Sequence, residues 1–509
     1  MASDSVGYRY LTEQYELAAR PLHVSARIDA RVRGRKTRQI DHQAILLFEP
    51  KYRPEDNLPG HLQFALRYEG INLEVLALLF QKTGKKELNG WLAASPSSSY
   101  ARRAGFLFEW LTREKLMANV PAKERYVSLI DNEIQFGLKE GARDTRFRVI
   151  NNLPGNPEFC ALVRRTGYLK EMTERDLREK TRKTLAAYDE DLLRRAAGYL
   201  YLRETQSSFE VEREKPSANK AQRFADLLRQ ADTKILLTEE RMVELQNAVI
   251  DPRFHEYTWR SQQNWVGKDH GYRKLIDFVP ARPEDVASLM TGLLDLASQS
   301  RNWYQINEDE QYDTQIDPVI LATVIAFGFV FIHPFMDGNG RIHRYLIHEI
   351  LANAGFTPRG IILPVSAVIL ANLDEYISVL EAFSKPLKTF TNYDPDTPAI
   401  PATGNDAVYF RYFDATEQAE FLYRALQRTV EEDLVKEIDY LLGFDQAFTA
   451  LDGLLDWPNH SLELFISAVQ QNNGTLSNAK RKSHFDWMKE DEIKNAEELV
   501  VKAFTRDLK

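Results

Sequence analysis

Cysteine is almost missing from this chain: Cys160 is the one example in 509 residues. A lone cysteine closes no internal disulfide and excludes a multi-cysteine metal site, and it fits a reducing compartment. An excess of positive charge is missing too. The formal net charge of −8 and a pI near 5.8 exclude a chain that coats nucleic acid along its whole length, while leaving single basic segments open. Long apolar runs are also lacking. The longest, Val319–Ile332, falls short of the ~18 residues of a membrane span, and "MASDSVGYRYLTEQYELAARPL" has no basic stretch ahead of an apolar core. These absences predict a cytoplasmic protein with no membrane partner. The remaining composition, 44% hydrophobic and 28% charged, is that of a soluble globular protein, and the length suits about three domains.

Residues 1–185 mix strand-like pieces such as "AILLFEP" with helical patterns such as "LEVLALLFQKTGKKELNGWLAA" and "ARRAGFLFEWLTREKL", which predicts a mixed α/β domain whose role the residues do not reveal. Within it "RVRGRKTRQ" presents Arg31, Arg33, Arg35, Lys36 and Arg38. That stretch suits either phosphate contact or a solvated loop or hairpin, so a nucleic-acid partner stays open but is not indicated. From about residue 171 onward, apolar residues recur at helical spacing to the end of the chain. "TNYDPDTPAIPATGND", residues 391–406, holds three prolines and reads as a linker. After it, 407–509 reads as a C-terminal helical domain. There "NNGTLSNAKRKSHF" leaves a winged helix-turn-helix and a plain helical bundle both open.

The chemistry gathers in "HPFMDGNGRIHR", residues 333–344. Asp317 and Pro318 form an N-cap and first-turn pair, and the run behind them has no polar face, so a helix buried on all sides is expected. It should stop near His333, because Pro334 disfavours helical geometry in the residue before it. "MDGNG" tolerates positive φ, and "RIHRYLIHEILANAG" resumes a helix that closes at Gly355. Helix, tight loop, helix places loop amides at a positive helix end, which is an anion site. Arg341 and Arg344, three apart, suit phosphate oxygens. Asp337 suits a magnesium ion on phosphates. His333 can take a proton from a hydroxyl. Each has a bland alternative as core histidine, turn residue or solvated face, but their concentration points to phosphoryl or nucleotidyl transfer. His343 and His348, five apart, share a helix face poorly and make a weak metal pair.

His333–Arg344 matches every fixed position of HxFx(D/E)GNGRxxR, the signature of Fic (filamentation induced by cyclic AMP) proteins, and the resemblance extends over roughly 195–385. It implies a mainly α protein: a helical Fic core at 186–390 with a small β-hairpin flap around Val266–Val279, flanked by the N-terminal mixed α/β and C-terminal helical domains. It implies AMP transfer from Mg2+-bound ATP to a Tyr, Thr or Ser hydroxyl of a target protein docked on the flap by strand addition. His333 would be the base and Asp337 the metal ligand. Gly338, Asn339 and Gly340 would form the anion hole, Arg341 would bind phosphate and Arg344 the γ-phosphate. Phosphotransferase relatives carry lysine where Gly340 stands, so the resemblance favours AMP transfer. "ETQSSFEVERE" resembles the family's inhibitory motif, (S/T)xxxE(G/N), within a helix near 200–214. Ser208 and Glu212 match it, with Glu212 expected to pair with Arg344, while Arg213 departs from it. Tyr376 in "LPVSAVILANLDEYISVL" is similar to an adenine-pocket residue. An enzyme that also or mainly removes AMP, a nucleotide-binding regulator without transfer activity, and homo-oligomerisation remain open alternatives.

Overall fold

The alternating pattern near the N-terminus makes strands with one packed side. In the computed structural model, which describes all residues except 1–3, 41–42, 118, 234, 272–273, 307–311, 398–399, 456, 459 and 506–509, β1 (Ser5–Val6), β2 (Val24–Ile28), β3 (Arg35–Ile40) and β4 (Gln43–Phe48) form a sheet ordered β1-β2-β4-β3. The β2–β4 pairing is parallel and the other two are antiparallel. Ala26, Ile28 and Phe48 pack on Phe64 of a helix below. The basic stretch ends in the exposed strand β3, antiparallel to β4, and Arg31 pairs with Asp29 at 2.9 Å. After α1 (Tyr8–Gln14), the helices α2 (Leu58–Tyr68), α3 (Leu73–Thr83), α4 (Lys86–Ala94) and α5 (Ser99–Thr112) follow. Asn57, Asn72 and Ser98 side chains cap α2, α3 and α5. A small sheet, β5 (Val127–Ser128), β6 (Ala142–Asp144) and β7 (Val149–Asn151), completes this part.

Helices dominate thereafter. α6 (Gly167–Glu174), α7 (Leu177–Ala186), α8 (Glu190–Val211), α9 (Ala218–Arg229) and α10 (Glu239–Val249) lead to the hairpin β8 (Val266–Asp269) and β9 (Lys274–Phe278). α8 begins earlier than the 200–214 expected. Asp189 accepts from the Leu192 amide at 2.9 Å, and Glu190 and Asp191 fill the first turn, so cap and dipole together place its start. Next come α11 (Pro283–Ser300), the short hairpin β10 (Tyr304–Ile306) and β11 (Tyr312–Thr314), α12 (Pro318–Ile332), α13 (Asn339–Asn353), α14 (Val365–Ala371) and α15 (Leu373–Lys388). The chain ends in α16 (Ala407–Arg411), α17 (Thr416–Arg428), α18 (Leu434–Asp452), α19 (Ser461–Gln471), α20 (Asn478–His484) and α21 (Glu490–Phe504). Among the described residues after 407 there is no strand. The architecture is mainly α with small sheets.

α12 is the hub. The Asp317 carboxylate accepts from the amides of Val319 and Ile320 at 2.8 and 3.1 Å, and every residue of the helix is buried. α11, α13 and α17 surround it. The largest hydrophobic cluster runs from Phe136 through α12 to Ile438, so both Phe159 and α16–α17 share the central core. A separate cluster fills α2–α5, and a third gathers Ala447 with α19 and α21. α18 therefore bridges two cores, with Leu434 and Ile438 in one and Leu451 in the other. In the 391–406 segment Asn392 is bridged to Thr403, and Asn405 Nδ2 donates to Pro280 O at 2.7 Å.

Two glycines test this packing with one substitution. A Cβ on Gly328 of α12 would lie 2.4 Å from the buried Phe159 ring, whereas one on Gly198 of α8 would meet nothing within 4 Å. Alanine gains up to ~1 kcal/mol in helix propensity at either site, but overpacking costs about 1–3 kcal/mol. Gly198→Ala should raise the urea midpoint and Gly328→Ala should lower it; equal shifts would contradict the α12–Phe159 contact.

Candidate active site

His333 ends α12 as a left-handed residue with φ of 56°, the conformation that lets the chain leave the helix ahead of Pro334. Left-handed geometry is strained for a residue with a side chain, so something must hold it. Arg260, 3% exposed, does so. Its Nε donates to His333 O at 2.8 Å, and its amide donates to Pro334 O at 2.9 Å. Its Nη2 reaches Ala281 O at the base of the β8–β9 hairpin. Burial pushes the Arg260 pKa down to about 10. Asn264 Nδ2 and Asn339 Nδ2 both donate to Phe335 O, at 2.9 and 2.8 Å, and Phe335 N donates to Asn339 Oδ1 at 3.1 Å. Glu256 Oε1 accepts from Met336 N at 2.9 Å. The loop is thus pinned amide by amide.

His333 Nδ1 lies 3.1 Å from Val330 O. A carbonyl only accepts, so Nδ1 carries the proton and Nε2 keeps a lone pair, the form a general base needs. Burial, with the charge of Arg260 adding to it, pushes the imidazole pKa down to about 4 against smaller opposing effects of Val330 O, Glu212 and Asp337.

Gly338 opens α13 with φ of 88°, and a Cβ there would press on Ile250 and Val249. Arg341 and Arg344 leave the first turns of α13 on one side, yet both are buried, at 4% and 1% exposure, where solvated positions were the bland alternative. Arg344 Nε donates to Ser208 Oγ at 2.8 Å, and its Nη2 donates to Ser208 O at 2.6 Å and to Glu212 Oε1 at 2.9 Å. Arg344 Nη1 has no partner of good geometry, although the Tyr376 hydroxyl lies nearby. A Cβ on Gly340 would fall 2.1 Å from Glu212 Oε1 and 3.5 Å from Arg344 Nη1. The Glu212 carboxylate therefore lies over the amide end of α13, where an anion belongs.

Arg341 donates to Glu214 Oε2 at 2.7 Å, to Val249 O at 2.8 Å and to Asp337 Oδ1 at 3.3 Å. Asp337 keeps an exposed side chain, and its Oδ1 also accepts from Gly338 N at 2.6 Å, leaving Oδ2 without a protein partner among the described residues. One open carboxylate beside an amide-lined helix end would suit magnesium, which binds through one or two carboxylates together with substrate phosphates. Among the described residues no group of three or more His, Cys, Asp or Glu side chains could hold a metal by itself. His343 and His348 diverge: His343 Nδ1 is 2.8 Å from Ala326 O, and His348 Nε2 is 2.8 Å from Glu204 Oε1. Tyr376 is buried with its ring stacked on His343 and offers little surface to an adenine base. Arg260, Asn264, Glu256 and Glu214 escaped sequence reasoning, although the first two stand in the "RSQQNW" segment leading into the hairpin.

Residues 236–351 match the model of the Fic/DOC family. The chain carries a Fic domain. It is 30% identical over 134 residues to protein adenylyltransferase fic-1 of Caenorhabditis briggsae, covering 26% of this chain and 21% of that protein. It is 31% identical over 134 residues to protein adenylyltransferase Fic of Drosophila willistoni, covering 26% and 22%. The chain thus spans about a fifth of the length of these curated relatives. A Fic family protein from Desulfovibrio desulfuricans aligns over 65% of this chain and 84% of its own at 17% identity, with a TM-score of 0.35. The Fic domain holds the whole 333–344 loop and its anchors Glu256, Arg260 and Asn264, while Ser208 and Glu212 reach it from α8 outside the matched span.

If His333 acts as the base, kcat/KM for any hydroxyl transfer should stay flat from pH 8 to about 5.5 and fall only as pH approaches its pKa near 4. An acid limb centred near 6.5 would contradict the burial argument. Arg213, left-handed with φ of 58°, sits just past the end of α8 where glycine is preferred, and it makes no ion pair with Glu212. Arg213→Gly should therefore raise unfolding stability by roughly 0.5–1 kcal/mol; a lower denaturation midpoint would show that the Arg213 side chain stabilises more than its backbone costs.

Proposed function

We propose that this protein transfers AMP from Mg2+-bound ATP to a Tyr, Thr or Ser hydroxyl of a target protein and is restrained by Glu212. The observation that carries the reading is the pairing, across one pinned loop, of an imidazole with a free Nε2 and an amide-lined anion site with a buried, partly unsatisfied Arg344. A base and a phosphate site on opposite ends of one loop is what attack by a hydroxyl on a phosphate requires.

In the proposed reaction His333 Nε2 takes the hydroxyl proton as the oxygen bonds to the α-phosphorus. The bond from that phosphorus to the bridging oxygen breaks, and pyrophosphate leaves. The amides of Gly338, Asn339 and Gly340 hold the charge that develops on the phosphates, with Arg341 beside them. Magnesium arriving with the nucleotide would take Asp337 as its protein ligand and neutralise phosphate charge. Arg344 would receive the γ-phosphate, and Glu212 competes for the same guanidinium and the same amides. β8, exposed along its length, supports docking of an extended target segment by strand addition, with its hydroxyl directed to His333. One observation favours a second reading. Glu212 Oε1 lies over Gly340 in the same loop that His333 opens, where a carboxylate could position a water molecule for AMP removal.

With ATP labelled at the α-phosphate, Glu212→Gly should increase labelling of the protein itself or of lysate proteins. Adding Arg344→Ala should lower it again, and adding His333→Ala should reduce it by ~10²–10⁴-fold. Unchanged labelling in Glu212→Gly would overturn the restraint, and full labelling without His333 would overturn the base. Loss of AMP removal in Glu212→Gly would select the second reading.

A further inference from the structure

The basic stretch of the N-terminal sheet takes no part in the site described above. Across the sheet, Arg27, Leu47 and Lys36 stand side by side in one row, and Ser25, Ile45 and Arg38 in the next. The opposite face buries Ala26, Ile28 and Phe48. This face keeps Ile45 and Leu47 only partly covered, between Arg27 on one side and Lys36 and Arg38 on the other. Arg27, Arg33, Lys36 and Arg38 make no ion pair among the described residues, in a chain whose net charge is −8. The sheet also ends here: β3 is the outer strand and all its residues are exposed. Gly34 O accepts from Glu49 N at 3.0 Å. Antiparallel ladders alternate inward and outward bonds, so Arg35 and Thr37 turn their N–H and C=O groups to the open edge.

We propose that this edge and face bind an acidic segment in extended conformation, added as a further strand beside β3. Residues two apart on a strand repeat at about 6.6–6.8 Å, so alternate carboxylates on the added strand would stand opposite Lys36 and Arg38 in register. The residues between those carboxylates would point to the opposite face of the sheet. Edge cations repel basic strands and leave neutral ones without a charge partner, and here they select an acidic one. A nucleic acid fits less well. Base stacking needs open aromatic faces, yet Phe48, Tyr52 and Tyr68 cluster on the packed side, and Arg35 and Arg67 lie over the Tyr68 ring at 5.6 and 5.0 Å.

The test is fluorescence anisotropy of the full chain with a short labelled peptide alternating glutamate with valine, in the absence of nucleotide, so its outcome is independent of the transfer reaction. The peptide should bind, more weakly as salt rises, while its lysine counterpart should not. Lys36→Glu with Arg38→Glu should weaken binding roughly tenfold or more. Thr37→Pro, which removes an outward N–H from an edge position, should weaken it at an unchanged urea midpoint. Absent binding, or binding indifferent to all three substitutions, overturns the proposal. So does tighter binding of an oligothymidine that the same charge reversals abolish, since the surface would then serve nucleic acid.

Discussion

A guanidinium buried to 1% exposure sets the terms for everything around it. Removing the charge of Arg344 from water costs several kcal/mol unless other groups replace its hydration, and α13 alone cannot supply them. α8 does, through Ser208 Oγ, Ser208 O and Glu212. The α8–α13 seam is accordingly polar. Glu204, about two turns before Glu212, faces His348, and Glu212 faces Arg344, so the two helices meet carboxylate to base at two levels. Glu204 is further satisfied by the amide of Ser366 at 2.9 Å, and its pKa is lowered: burial would raise it, but His348 and Ser366 outweigh burial. The deep end of the seam is closed, while the Glu212 end stays near water and can exchange partners.

Much of this was legible in the residues. The Asp317–Pro318 start, the all-apolar run and the stop near His333 are local signals, and α12 follows them. The loop glycines and the Glu212–Arg344 pairing were legible because a signature carries them. What lay out of reach was long-range. Arg260 meets His333 73 positions later in the chain, and Asn264 meets Phe335 71 positions later; no periodicity connects such partners. The burial of Arg341 and Arg344 was equally hidden, since two arginines three apart on a helix look the same whether water or α8 covers them. The 391–406 segment has linker composition, yet Thr403 pairs with Asn392 within it and the Asn405 side chain reaches Pro280 O on the core.

Arg260 also joins two parts that composition would separate. One side chain touches the carbonyl of His333 and that of Ala281, where β9 returns to the core. His333 is held in a left-handed conformation, so its ring direction depends on where its own carbonyl is fixed. Displacement of the hairpin base therefore reaches the imidazole through two hydrogen bonds and no flexible side-chain stem. This gives the proposed docking of a target strand a physical route to the base, although the strand itself would contact only main chain.

The turn after α8 explains how two carboxylates so close in sequence serve two arginines. Residues two apart on a straight helix point to nearly opposite faces, so Glu212 and Glu214 could not both reach α13 from an uninterrupted α8. The left-handed Arg213 breaks the helix between them and turns Glu214 back, where it meets Arg341 at 2.7 Å and is balanced by Lys220. The two pairs differ in what an incoming polyphosphate would meet. Glu212 Oε1 occupies the space over Gly340, directly in the anion site, whereas Glu214 stands at its border with a second cation of its own. In the proposed reaction the phosphates need displace only Glu212. One turn at the end of α8 would then yield while Ser208, Glu204 and Glu214 keep the helix docked, so the proposed restraint would be local and the fold beneath it would stay intact.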